Sequence, residues 1–282
     1  MTRPLEIAAA DAYCWRLACQ HYENFTVASR LLRRGLRRDL ARVYAYCRST
    51  DDLGDEHGAA ARPHLERWRE EVVELFAGGR PTHPVLVALR DTVQQYQLPA
   101  QPFLDLIQAN LQDQDISSYA TWPDLRAYCD KSAAPVGRIV LRLFRIGAPA
   151  AEPLSDDVCI GLQLANFAQD VSVDAAKGRT YLLQTDLQTG GITGATRGLC
   201  ERARTLLASG RELEGLAPWP LRLQLALYRL GGVAIVDAIE RLGYRTDLRR
   251  PQVSPWAKLL VLQRAVRQSL QEVGSARRLG TA

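Results

Sequence analysis

The stretch "QLANFAQDVSVD", 163–174, places Gln163, Asn166, Asp170 and Asp174 at spacings of three and four. In an α-helix, which turns about 100° per residue, these polar side chains share one stripe. Leu162, Leu164, Ala165, Phe167 and Val171 occupy the rest of the segment, so the acids rise from an apolar helix. Carboxylates four apart repel each other, and they rarely stand among apolar neighbours without a cation to pair with. The stripe asks for a cation. A second acidic cluster, "RSTDDLGDE" at 48–56, closes a helix that begins "DLARVYAYC". Asp51 and Asp55 are four apart there, and Tyr44, Arg48 and Asp52 share much of their face. An acidic run at a helix end is most often solvated surface; its recurrence on a mostly apolar helix turns the pair toward chemistry. Mg²⁺ takes oxygen ligands, keeps several waters, and is held by one or two carboxylates plus substrate phosphates. Two Asp-x-x-x-Asp pairs on facing helices would supply that arrangement on both sides of a diphosphate. Lys177 and Arg179 in "AAKGRTYL" would neutralise its oxygens, unless they are only a basic loop after a helix C-terminus.

Elements of a particular kind must position these residues. Apolar residues recur at three and four along nearly the whole chain, and alternating runs are almost absent, so the expected fold class is all-α. Prolines fall between the periodic segments, where they start or end helices. The pattern predicts helices near 5–19, 36–55, 64–77, 84–95, 101–116, 122–147, 154–173, 196–212, 219–243 and 254–272. Pro135 is the exception: it lies inside "CDKSAAPVGRIVLRLF" and predicts a kink in the helix 122–147. Ser132, Ala133, Ala134 and Gly137 around it are small enough for a neighbouring helix or a ligand to approach.

Composition narrows the class without naming a function. At 282 residues, with 47% apolar and 24% charged, the chain reads as one globular domain, 1–282, and not as a disordered or collagen-like protein. The net charge of +5 is spread along the chain, with no nucleic-acid motif; it suits an anionic substrate or an anionic membrane surface. Apart from Lys131, Lys177 and Lys258 the basic side chains are arginines, which favour bidentate contact with phosphate. Six scattered cysteines have no zinc-like spacing and read as reduced thiols. Glu6 and Asp11 interrupt any signal-peptide core, and no stretch is long and apolar enough to span a bilayer, so a cytoplasmic protein, at most peripheral on the inner membrane, is expected. The basic segment "QRAVRQSLQEVGSARR", 263–278, is one candidate membrane contact, with a solvated helix face as the plainer reading.

Taken together, "YAYCRSTDDLGD" at 44–55, "YCDKSAAPVG" at 128–137 and "QLANFAQDVSVDAAKGRTYL" at 163–182 resemble the squalene/phytoene synthase family, which joins or rearranges prenyl diphosphates head to head. The resemblance covers almost the whole chain. It implies an isoprenoid-synthase helical bundle around a central hydrophobic cavity. By the same resemblance Asp51, Asp55, Asp170 and Asp174, with Asn166, would hold Mg²⁺; Arg48, Lys177 and Arg179 would contact diphosphate; Gln163 and Asn166 would sit beside metal and substrate; and Tyr44 and Tyr244 would line the reaction centre. His21 and Asn24 lie in "HYENFTVASRLL", which looks like the family's N-terminal substrate segment.

Departures from the family's pattern are specific. Tyr22 and Asn24 stand where small hydroxyl residues are usual, Val173 where an acid is frequent, and Leu183 where proline often follows the Arg-x-Tyr. "HYENF" and "SAAPVGR" look most like the hydroxysqualene synthase branch of bacterial hopanoid biosynthesis. That branch implies a presqualene diphosphate substrate, water as the quencher with no NADPH, and a presqualene diphosphate synthase and squalene-pathway enzymes as partners. Head-to-head condensation to presqualene diphosphate, squalene or phytoene is the rival within the family. A helical assembly factor without chemistry is the rival outside it, and clustered carboxylates argue against that one.

Overall fold

The computed structural model describes residues 4–20, 32–56 and 58–279. Among them the elements are α1 (Pro4–Gln20), α2 (Arg34–Asp55), a short 3-10 turn (Gly58–Ala60), α3 (Ala61–Phe76), α4 (Pro84–Tyr96), α5 (Gln101–Gln112), α6 (Trp122–Ser132), α7 (Ala134–Leu143), α8 (Ala151–Gln169), α9 (Val171–Ala176), α10 (Gln184–Leu216), α11 (Trp219–Arg241) and α12 (Pro255–Leu279). No strand occurs among the described residues, as the period of three and four requires. The contacts group into two compact units: Met1–Asp115 with Pro135–Gly147, and Ile116–Ala134 with Ala148–Ala282.

In the first unit α2 is the pinned element. Val43, Ala45 and Tyr46 enter a core with Leu65, Leu86, Leu89, Phe103 and Ile107, to which α7 adds Ile139 and Leu143. The Tyr46 hydroxyl donates to the Phe103 carbonyl at 2.8 Å, and the Trp68 indole N–H donates to Thr50 Oγ1 at 3.0 Å. Arg42, 1% exposed, donates to both carboxylate oxygens of Asp11 at 2.6 and 3.0 Å and to Thr92 at 3.1 Å, while Thr92 donates to the buried Asp39. A buried guanidinium is held only by such partners; losing one leaves an uncompensated charge at a cost of about 3–5 kcal/mol. These contacts fix which face of α2 is inward and so which residues point outward.

In the second unit α8 packs on α10 and α11, and α12 packs on α11. A second buried charge, Glu214, accepts from Arg229 Nε at 2.6 Å and ties α10 to α11.

The helix limits depart from the sequence pattern in five places, one of them helix 254–272, which runs on to Leu279 as α12. The predicted helix 122–147 is two: α6 ends at Ser132, Ala133 takes φ −116° and ψ −51°, and α7 starts at Ala134. Pro135 thus stands in a first turn, where a missing N–H costs nothing. Helix 154–173 stops at Gln169, because Asp170 leaves helical geometry at φ −102°, ψ 19°, and α9 follows. Helix 101–116 ends at Gln112. Helix 196–212 runs instead from Gln184 to Leu216, interrupted at Gly191 (φ 58°, ψ −165°); the glycines and threonines of "QTGGITGATRG" hid its first half, since they have poor helix propensity and signal a loop.

Candidate functional site: two aspartate motifs

The first motif occupies the last two turns of α2. Tyr44, Arg48 and Asp52 are half-buried, while Asp51 and Asp55 are exposed. Arg48 Nη2 pairs with Asp52 Oδ1 at 2.6 Å, the i, i+4 contact of one helix face, and its enclosed Nε–H has no hydrogen-bond partner. Asp51 accepts from Asn110 Nδ2 of α5 at 3.3 Å, and the same Asn110 nitrogen donates to the Leu106 carbonyl at 3.1 Å. Gly54 makes room for this asparagine: a Cβ there would stand 2.3 Å from Asn110 Oδ1. Gln114 Nε2, in the turn after α5, then donates to the Gly54 carbonyl at 3.2 Å, so α5 and its following turn hold the motif at Gly54.

The Asp51 carboxyl is raised from the usual carboxylate range to about 6, first by burial, then by the like charges of Asp55 and Asp52, against the lowering effects of Asn110 and Arg48. The neighbouring acids push the same way as burial. A carboxylate that resists ionising beside two others is one that a cation would relieve.

The second motif straddles the break between α8 and α9. The sequence reading of one continuous helical stripe is corrected here: Asp170 is the junction residue, though its N–H still reaches the Asn166 carbonyl at 2.9 Å and its carbonyl receives the Asp174 N–H at 2.8 Å. The four-residue spacing survives the break. Asp170 already has a cation, because Arg250 donates to Oδ1 through Nε and to Oδ2 through Nη2 at 3.2 Å. The segment after Asp174 folds back, with the N–H groups of Lys177 and Arg179 both donating to the Asp174 carbonyl at 3.0 and 2.9 Å. Lys177 and Asn166 are exposed; Gln163, Asp174 and Arg179 are half-buried.

A stack of rings that the sequence reading did not find holds this segment. Tyr181 lies face to face with Phe167, ring centres 3.7 Å apart, and near Tyr119 and Tyr128 at 6.0 and 5.8 Å. The Thr180 N–H donates to the Ser117 carbonyl at 2.8 Å and the Gln184 N–H to the Tyr119 carbonyl at 3.0 Å. Phe167 and Tyr181 are therefore structural, and through them the backbone between Asp170 and Arg179 is fixed. The rings lie far apart in the chain, so no spacing could signal them; Asn110 and Arg250 escaped for the same reason.

Tyr244 follows α11 with φ 61°; its hydroxyl donates to Glu240 at 3.3 Å, and Arg197 covers one ring face at 5.0 Å. The Ser132 hydroxyl at the α6–α7 break is enclosed and has no partner. His21 and Asn24 lie outside the described residues. Among the described residues no three His, Cys, Asp or Glu side chains converge to hold a metal. The donor chemistry nevertheless fits Mg²⁺, which takes one or two hard carboxylates and completes its shell with water and phosphate oxygen.

Comparison with known proteins follows the same residues. The family model described as squalene/phytoene synthase matches residues 18–257. Phytoene synthase 3 of Zea mays is 31% identical over 94% of this chain and 67% of its own length, and phytoene synthase of Arthrospira platensis is 30% identical over 90% and 92%. The crystal structure of squalene synthase HpnC from Alicyclobacillus acidocaldarius superposes with a TM-score of 0.79 at 42% identity, covering 86% of this chain and 97% of that one.

Proposed function

This chain belongs to the squalene/phytoene synthase family, and from that premise we propose that it converts presqualene diphosphate and water to hydroxysqualene, diphosphate and a proton. The observation that carries the choice of the hydroxysqualene branch is the resemblance of "HYENF" and "SAAPVGR" to it. The 42% identity to a squalene synthase, against 30–31% to the phytoene synthases, favours squalene-type over phytoene-type chemistry.

In this reading the chain's own cations bind the diphosphate. Arg48 has its Nη2 anchored on Asp52, so its fork is oriented before substrate arrives. Lys177 and Arg179 offer two more cations on a segment whose backbone the Asp174 carbonyl and the stacked rings hold still. Mg²⁺, when bound by Asp51 and Asp55 and by Asn166, Asp170 and Asp174, would add Lewis-acid charge to the leaving group. As the carbon–oxygen bond breaks, the electron pair leaves with diphosphate and the carbocation rearranges. Tyr44 would face that cation with its ring. Tyr244 has one face already covered by Arg197, which leaves it the other for such a role. Gln163 and Asn166 would orient the water whose oxygen forms the new bond and whose proton is released. Both substrate and product are long hydrocarbons, and no helix among the described residues is long and apolar enough to cross a membrane. We place the protein in the cytoplasm, at the inner membrane surface, beside an enzyme that supplies presqualene diphosphate.

The test supplies presqualene diphosphate and Mg²⁺ in ¹⁸O-labelled water. The expected product is a triterpene alcohol carrying the label, with rate and product unchanged by NADPH. Squalene formed only with NADPH, or presqualene diphosphate accumulating from farnesyl diphosphate, would overturn the assignment. The second reading, head-to-head condensation, is favoured by the phytoene synthase relatives, and phytoene formed from geranylgeranyl diphosphate would establish it.

A further inference from the structure

Helix α12 is bound to the protein along one side and bare along another. Ala265 and Ser269 are buried, Val261, Leu262 and Gln268 are half-buried, and Gln268 accepts from Arg229 of α11 at 2.8 Å. On the opposite side Trp256, Leu259, Leu260, Val266 and Leu270 recur at helical spacing and are 77, 43, 52, 37 and 54% exposed. Leu248, just ahead of the helix, is 72% exposed. Scattered exposed apolar residues are ordinary, but a stripe along one helix marks a surface that something covers.

The charges around the stripe say what covers it. Between Leu248 and Leu270 the chain carries exposed Arg249, Lys258, Arg264 and Arg267, besides Arg250, which is paired with Asp170, and no aspartate or glutamate. A second copy of the chain would bring the same cations against themselves across a two-fold axis, at a repulsive cost. Anionic headgroups would neutralise them. A tryptophan at the edge of the stripe suits the amphipathic boundary between headgroup and acyl chain. We propose that this face of α12 docks in the plane of an anionic lipid bilayer, with Trp256, Leu259 and Leu260 entering the acyl boundary and Arg264 and Arg267 on lipid phosphates. The sequence alone drew attention to 263–278; the exposed stripe moves the contact toward the start of the helix, and the side chains from 271 on lie outside the described residues. The inference deepens the proposed function, since a hydrocarbon substrate stored in the bilayer gives the surface its purpose.

Flotation of the full chain with vesicles of phosphatidylcholine, with and without phosphatidylglycerol, tests it. Binding should require phosphatidylglycerol, and Trp256→Glu with Leu260→Glu should lower the partition constant at least ~tenfold while the helical circular dichroism is kept. Arg264→Glu with Arg267→Glu, which leaves the apolar side chains intact, should lower it at least roughly 25-fold, about fivefold for each charge. Turnover of presqualene diphosphate in detergent micelles should be unchanged in both variants. Binding indifferent to lipid charge, undiminished by either double variant, or replaced by a dimer that the Trp256→Glu and Leu260→Glu changes dissolve, would overturn the docking surface. Vesicle binding is read without turnover, so an inactive wild type would count against the proposed reaction alone.

Discussion

The two aspartate motifs share one spacing and differ in everything around it. Asp51 and Asp55 stand on an unbroken helix whose opposite face is anchored by Arg42, Tyr46 and Thr50; Asp51 accepts from the uncharged Asn110, while Arg48 on the same face pairs with Asp52. Asp170 and Asp174 stand on either side of a helix break, and Asp170 is neutralised by Arg250 from 80 residues away. One pair is rigid, with Asp51 held by a neutral amide; the other is jointed, with Asp170 held by a guanidinium. The same four-residue pattern thus yields a strong demand for a cation at one place and a site where a guanidinium must be displaced or shared at the other.

Three experiments would break or sharpen this contrast. Asp51→Ala and Asp174→Ala should each lower turnover by about 100-fold or more, as removal of a group that stabilises developing charge does, with helical circular dichroism retained. Mg²⁺ titrations should distinguish them, the larger loss of affinity falling on the first motif. Equal losses at the two positions would remove the contrast, and near-normal turnover in either variant would remove that aspartate from the site.

The next effect is smaller and local. Gly54→Ala puts a Cβ 2.3 Å from Asn110 Oδ1, so the asparagine must leave Asp51. The expected cost is about 1–3 kcal/mol in urea unfolding, accompanied by weaker Mg²⁺ binding. Asn110→Ala with Gly54→Ala should recover most of the stability but not the Mg²⁺ affinity, because the clash goes while the hydrogen bond to Asp51 stays lost. An unaltered Gly54→Ala protein would show that α5 does not grip the motif.

The smallest effect is the pH dependence of the metal-free protein. The folded Asp51 carboxyl titrates near 6 against an unfolded value near 3.8, so the folded state holds its proton more tightly. Stability from this group is therefore fully present below the unfolded value and is lost as pH rises through about 6. Compared with Asp51→Asn, the wild type should lose ground between pH 4 and 6 and then run parallel to the variant above that range. Thermal melts of the pair across that range check it. A wild type that gains ground instead would mean that Asp51 is already paired with a cation in the free protein.

Much was settled by the order of residues alone. A period of three and four is a local property, so the all-α class, the position of most helices, a disturbance of the helix near Pro135 and the shared face of Asp51 and Asp55 could be read directly. The Asp-x-x-x-Asp pairs and the Arg-x-Tyr that follows the second are local too, and with them came the family. The long helix α10 was half missed, since glycine and threonine in its first turns weigh against a helix that contact with α8 and α11 stabilises. What no spacing carries is the identity of partners brought from afar: Asn110 against Asp51, Arg250 on Asp170, Arg197 over Tyr244, and the rings of Tyr119 and Tyr128 beside Tyr181. Those contacts depend on where whole helices settle, which is decided by burying many side chains at once. The sequence could therefore mark the aspartates, and only the tertiary structure decided which of them is left wanting a cation.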